Sequence, residues 1–249
     1  MSKNSERIFR FKHFSVKHSR SSMPIGVDGV LVGSWATKII ENAADIKRVM
    51  DIGTGCGVIA LIAAQRLPSA SVTAIDIDKD SCEEAEENFC ESEWHDRLRC
   101  INVSLQDYIA GNEIEKMDLI ISNPPFFISG IDKPTTSRER ARHEASLPLE
   151  ELALCISVLL KDNGRFGLIL PHGEVEKLFI SKALKHGLRL IRKSTVRGFS
   201  HKLPKRSLLL FSKGVEAGKC YEDEIVLEVK PGEPTEQYRE LCNDLYLKF

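Results

Sequence analysis

Apolar residues fall along this chain in short compact runs, separated by longer stretches with helical spacing. Residues 48–52, 71–75, 98–103 and 117–122 are each rich in Val, Ile and Leu, as strands buried on both faces are. Between them lie helical patterns at residues 58–67 and 80–93, the second strongly acidic on one face. A helix is predicted at 148–160, with a proline near its start and Gly164 just past its end. Further along, the pattern predicts strands at 165–170, 188–196 and 207–212, a helix at 174–186, an edge strand at 221–229 and a C-terminal helix at 235–246. Strand-helix alternation of this kind predicts βαβ units and a parallel sheet. Two segments fall outside it. Residues 1–47 precede the first core strand, and residues 127–147 form a polar connection of a length that is more often functional than structural.

The chain has 249 residues, 42% hydrophobic and 29% charged, enough for one α/β domain with a sizeable core. We expect a single domain over 1–249, with 1–47 as a cofactor- and RNA-facing extension and 48–213 as the core sheet. The seven cysteines include no CxxC pair and no zinc-like spacing, so reduced thiols in a cytoplasmic protein and no metal are expected. No apolar run is long enough to span a bilayer, and the basic N-terminus lacks the apolar stretch of a secretory signal. Nothing in the sequence reads out the oligomeric state.

The net charge of −1 conceals an uneven distribution. Residues 1–20 carry Lys3, Arg7, Arg10, Lys12, Lys17 and Arg20 against Glu6 alone, with Phe9, Phe11 and Phe14 interleaved. Residues 185–213 contain Arg197, Lys202, Lys205 and Arg206 among other basic residues and no acid. The polar connection adds Arg138, Arg140, Arg142 and His143. Phosphate binding needs only a local basic face, so these clusters are candidate RNA contacts, with a merely solvated surface as the alternative.

The first core strand runs into Gly53-Thr54-Gly55-Cys56-Gly57 and then a helix. Such a turn brings bare backbone close to a ligand at a helix N-terminus. The spacing departs from the G-x-G-x-x-G of dinucleotide sites and suits a ligand with an amino-acid end, whose amine Asp51 can attract. Asp76, ending the second strand, can accept from both ribose hydroxyls, and Asp107, after the third, from an adenine amino group. All three acids fall at the carboxyl ends of parallel strands, where such sheets bind ligands.

Asn123-Pro124-Pro125-Phe126 follows the fourth strand. Two successive prolines hold the Asn123 side chain and the Pro124 carbonyl in one arrangement. Both offer acceptor oxygens, so an amino group on a flat substrate could donate one hydrogen to each. Those bonds favour a pyramidal nitrogen and stabilise the positive charge that develops as it attacks an electrophile. Phe126 offers a face for stacking.

These residues resemble the class I S-adenosylmethionine-dependent methyltransferases with an (Asp/Asn)-Pro-Pro-(Tyr/Phe/Trp) motif. More narrowly, residues 23–35 (Met-Pro-Ile-Gly-Val-Asp-Gly-Val-Leu-Val-Gly-Ser-Trp), the Arg142-His143-Glu144 stretch and the short length resemble the bacterial tRNA1(Val) adenine-37 N6-methyltransferase family. The resemblance implies an α/β, Rossmann-like sheet of seven mostly parallel strands with helices on both faces. It implies S-adenosylmethionine as cofactor and tRNA as substrate. Asp28, Asp51, Gly53, Gly55, Asp76, Asp107 and Asn123 carry over as cofactor contacts, and Asn123, Pro124, Pro125 and Phe126 as the amino-group clamp. The clamp alone leaves open guanine-N2 methylation of RNA, glutamine-N5 methylation of a release factor and DNA adenine methylation. A non-catalytic RNA-binding module that has kept the fold is a reading of a different class.

Overall fold

The structure is a computed structural model that describes residues 7–21, 24–40, 42–111, 114–124, 148–214 and 218–249. It opens with a small hairpin of β1 (Ile8–Arg10) and β2 (Ser15–Lys17), followed by helix α1 (Val27–Lys38). The core then alternates β3 (Arg48–Ile52), α2 (Val58–Arg66), β4 (Ser71–Asp76), α3 (Lys79–Cys90), β5 (Leu98–Asn102), α4 (Leu105–Ala110) and β6 (Met117–Ser122). After it come α5 (Leu149–Leu159), β7 (Leu160–Pro171), α6 (Glu174–Lys185), β8 (Leu188–Phe199) and β9 (Arg206–Lys213). The chain finishes with β10 (Tyr221–Lys230), β11 (Glu233–Pro234) and α7 (Glu236–Cys242).

The large sheet has nine strands in the order β11-β10-β8-β9-β7-β6-β3-β4-β5. Within it, the seven strands from β8 to β5 are parallel except β9, which runs antiparallel to both neighbours. The expected seven strands are therefore two short. β10 does not end the sheet, because it pairs parallel to β8 and then folds back onto β11.

Side chains alternate between two cores. Leu119 and Ile121 of β6 face one and Ile120 the other, and Leu208 and Leu210 of β9 oppose Leu209 and Phe211 in the same way. Burial on both faces turns a period-two strand into a continuous apolar run. The first core is covered by α1, α2, α3 and α7, the second by α5 and α6.

The sequence pattern does not predict α1. Residues 29–37 are all buried, so the helix has no polar face to give it a period. It lies against α2, where a Cβ at Gly33 would stand 3.3 Å from Ile62 Cδ1 and 3.6 Å from Ile59 Cα.

The N-terminal arm docks on the domain. Glu84, 2% exposed, accepts from the backbone N–H groups of Ser19 (2.8 Å), Arg20 (3.0 Å) and Ser21 (2.8 Å). Asn88 exchanges hydrogen bonds with both backbone groups of Lys17 and also donates to Cys56 O. Phe11 and Phe14 are buried, with Phe11 against Tyr246 and Phe14 against Trp94. Lys17 pairs with Glu91, and Arg20 with Glu83 and Glu87. Acids of α3 thus neutralise two of the arm's cations, and its phenylalanines are mainly packing residues.

Candidate cofactor pocket and amino-group clamp

The glycine-rich turn leaves β3 at its carboxyl end. Gly53, Gly55 and Gly57 have φ of +69°, +55° and +86°, in the left-handed region that favours glycine. The turn is held from beneath. Gly53 N–H and Thr54 N–H donate to Ile75 O (2.9 and 3.1 Å), and Gly55 N–H donates to Asp76 Oδ2 (2.8 Å). A Cβ on Gly57 would meet the buried ring of Phe89 at 2.5 Å, whereas a Cβ on Gly53 would meet nothing within 4 Å. The turn therefore presents bare backbone to open space above Gly53 and closes against the core at Gly57.

Asp51 is fully buried. Its Oδ2 accepts from Thr54 Oγ1 (2.6 Å) and from Ala60 N–H (3.2 Å), which ties the strand to the turn and to α2. Its Oδ1 is buried and unpartnered among the described residues. Burial pushes this carboxyl up to about 7, against the pull of the Thr54 and Ala60 hydrogen bonds. Asp51 thus shapes the turn with one oxygen and leaves only the other for a ligand. Thr54 and Ala60 carry no sequence signal beyond their place beside the glycines.

Asp76 ends β4, half-buried, and its Oδ1 accepts from Asp78 N–H (2.9 Å). Desolvation raises its pKa, and the N–H groups of Asp78 and Gly55 oppose that rise. Each oxygen retains a lone pair for a further donor. Asp107 sits exposed in the first turn of α4, where Ser104 caps the helix. Ser104 Oγ accepts from Asp107 N–H (3.0 Å) and donates to Asp107 Oδ2 (2.6 Å). Asp107 is thus engaged in a helix cap through one carboxylate oxygen.

β6 pairs with β3, with Ile52 opposite Ser122, so the residues that follow, Gly53 and Asn123, leave adjacent strands side by side. Ser122 Oγ donates to Ile52 O (2.8 Å) and fixes this register. Asn123 and Pro124 are half-buried. Pro125, Phe126, Arg138, Arg140, Arg142 and His143 lie outside the described residues. The N-terminus of α1 reaches the same place, since a Cβ on Gly29 would lie 3.5 Å from Val58 Cγ1 and 3.8 Å from Asn123 Nδ2. Beside it, Asp28 Oδ2 accepts from Arg206 Nε (2.8 Å). Asp28 therefore meets a cation at the clamp's edge, and Arg206 is in an ion pair. Arg197 is paired with Glu224, while Lys202 and Lys205 are exposed and make no ion pair among the described residues.

The turn fits a ligand that combines an amino-acid end with a ribose. It offers bare backbone at Gly53, an orphan buried acceptor on Asp51 and a carboxylate at Asp76 with spare lone pairs. Among the described residues no cluster of three or more His, Cys, Asp or Glu could hold a metal ion, and no helix is long and apolar enough to cross a membrane.

The family model for the methyltransferase small domain matches residues 35–146. Among solved structures, "Crystal structure of a predicted O-methyltransferase, protein Atu636 from Agrobacterium tumefaciens" superimposes with a TM-score of 0.65 at 18% identity, covering 88% of this chain and 96% of that one. That likeness shows the class I methyltransferase fold. A tRNA1(Val) (adenine(37)-N6)-methyltransferase of Flavobacterium johnsoniae is 39% identical over 97% of this chain and all of its own length. One of Christiangramia forsetii is 38% identical over 98% of this chain and 99% of its own. At that identity over nearly the full length of both partners, the chain belongs to the tRNA1(Val) (adenine(37)-N6)-methyltransferase family.

Proposed function

We propose that this protein methylates N6 of an adenosine in tRNA, adenine 37 of tRNA1(Val), with S-adenosylmethionine as methyl donor. The observation that carries the reading is the Ile52–Ser122 register, which sets the cradle at Gly53 and the clamp at Asn123 one strand spacing apart, about 5 Å. When bound, the cofactor supplies an electrophilic methyl group on a sulfonium. Gly53, Gly55, Asp51, Asp76 and Asp107 are its contacts in this reading, with Asp28 at the mouth. Asn123 Oδ1 and Pro124 O accept the two hydrogens of the adenine amino group, which frees the nitrogen lone pair and stabilises the positive charge formed on it. Pro125 holds that geometry and Phe126 stacks on the base. The proton leaves nitrogen after transfer, so positioning and electrostatics are the enzyme's main contribution.

Lys202 and Lys205, with Arg138, Arg140, Arg142 and His143, approach the RNA. Arg197 and Arg206 act from within ion pairs that phosphates would have to share or replace. The whole chain works as one domain in the cytoplasm. The test is incubation with methyl-labelled S-adenosylmethionine and total tRNA from a strain lacking the enzyme, followed by digestion to nucleosides. Label in N6-methyladenosine from one tRNA species is expected. Label on guanosine N2 would keep the clamp and move the target base, and no label in tRNA would overturn the substrate.

A further inference from the structure

The turn between β8 and β9 is built unlike an ordinary surface loop. Residues 199–206 read Phe-Ser-His-Lys-Leu-Pro-Lys-Arg, without an acid. Leu203 at the tip is 81% exposed, more than any other large hydrophobic residue described. The imidazole of His201 stacks on Phe199 with centroids 5.6 Å apart and planes inclined by 22°. The side chains of Lys202 and Lys205 are solvent-exposed and make no ion pair among the described residues.

The backbone beneath is braced. Lys202 N–H donates to Phe199 O (3.0 Å) and Lys205 N–H to Val196 O (3.0 Å). Arg197 Nη1 donates to Lys202 O (2.6 Å), while its Nε pairs with Glu224. A single exposed leucine is ordinary by itself; this one shares a braced turn with a stacked imidazole–phenyl pair and two lysines that make no ion pair among the described residues.

The turn also stands beside the clamp. β8 runs parallel to β7, so its carboxyl end lies on the same edge of the sheet as Asn123. Lys205 O accepts from His172 N–H (3.1 Å) at the end of β7, and Arg206 reaches Asp28 on α1. The root of the turn, β9, is two strand spacings from β6, about 10 Å. That is the neighbourhood of the nucleotides flanking a base drawn into the clamp.

We propose that the Phe199–Lys205 turn is a stacking platform for unpaired nucleotides flanking the target adenosine, with Leu203 and the His201–Phe199 pair against base faces and Lys202 and Lys205 on the adjoining phosphates. The inference rests on the RNA-methylation reading and adds where the loop is gripped. Single-stranded RNA is recognised by such combinations, because splayed bases offer π faces to aromatic and apolar side chains while cations track the backbone.

His201→Ala and Leu203→Ala test it, with a synthetic anticodon stem–loop RNA bearing the target adenosine as probe. His201→Ala is expected to raise the Kd for this RNA roughly tenfold, at the lower end of what stacking on one base contributes, and Leu203→Ala by a similar factor through lost apolar burial. The salt dependence of binding is expected to stay as in the wild type, because no phosphate contact is removed, and the affinity for S-adenosylmethionine is expected to be unchanged. That unchanged cofactor affinity also reports an intact fold. Wild-type RNA affinity in both variants, alongside normal N6 methylation by the wild type, overturns the platform and leaves the enzyme reading standing. Failure of the wild type to methylate adenosine N6 in any RNA overturns that reading and the platform with it.

Discussion

Gly53 and Gly57 share one turn and a left-handed backbone, yet the structure separates their roles, so alanine at each should fail differently. At Gly57 the added methyl meets Phe89 Cε1 at 2.5 Å, Phe89 Cζ at 3.0 Å and Ala85 Cβ at 3.3 Å. Phe89 is fully buried and cannot swing into solvent. The left-handed conformation costs about 1–2 kcal/mol, and overpacking a filled core about 1–3 kcal/mol. Gly57→Ala is therefore expected to lose about 2–5 kcal/mol, or roughly 4–20 °C in Tm for a chain of this size. At Gly53 the methyl enters open space, so only the backbone strain of about 1–2 kcal/mol applies. That open space is where the cofactor belongs, so Gly53→Ala should weaken S-adenosylmethionine by about tenfold or more at modest cost in Tm. Calorimetric melting and isothermal titration of the cofactor read the two effects separately. Wild-type Tm in Gly57→Ala would refute the packing argument. Undiminished cofactor affinity in Gly53→Ala would refute the placement of the cofactor above the turn.

Asn123→Ala removes one of two acceptors for the target amino group. It should lower kcat on the order of 100-fold, far more than it weakens cofactor binding, and single-turnover kinetics beside titration would expose the reverse pattern. Asp51 gives a pH signature. Its carboxyl is raised from an ordinary 3.8 to about 7, so between those values the folded state binds more protons than the unfolded, and stability falls as pH rises. Asp51→Asn keeps an acceptor for Thr54 and Ala60 and removes the titration, so its stability relative to wild type should grow by up to about 1.4 kcal/mol per pH unit across that window. Parallel urea titrations at several pH values check this, and a constant difference would contradict it. Glu84→Ala strands three backbone N–H groups of residues 19–21 and should cost about 3 kcal/mol or more. Faster proteolytic release of the N-terminal arm is the readout, and wild-type resistance would deny that Glu84 anchors it. Lys202→Glu with Lys205→Glu should weaken tRNA binding and reduce the magnitude of its log–log salt slope by about 1.4, with an unchanged slope returning both residues to a solvated surface.

The central strands were legible because burying both faces leaves them continuously apolar, as Ile120 and Ile121 point to opposite cores and both are apolar. Helix α1 escaped for the complementary reason. Its periodicity is erased by burial all round, and Gly33, which argues against a helix by propensity, stands where a Cβ would crowd Ile62 of α2 at 3.3 Å. The tight left-handed turn was legible from its glycines. The division of Asp51 into one structural and one orphan oxygen was not, because it depends on where Thr54 and Ala60 arrive.

Charge was the least legible property, for a reason the topology makes plain. Residues 185–213 hold no acid in sequence, yet in space Arg192 meets Asp223, Lys193 meets Glu176, Arg197 meets Glu224 and Arg206 meets Asp28. Each acid comes from another element: β10 laid parallel along β8, α6 across the sheet, or the N-terminus of α1. A strand in the sheet interior has neighbours on both sides and a helix over its face, so a complementary acid can be placed beside any cation it carries. A hairpin tip has none of these neighbours. Lys202 and Lys205 lie in such a tip and remain without ion pairs among the described residues, although nothing in their local sequence separates them from the lysines and arginines that were neutralised. A basic run in a sequence therefore marks an un-neutralised surface only where the fold turns the chain outward. In this protein that position coincides with an exposed leucine and a stacked His201–Phe199 pair on the same edge as the clamp.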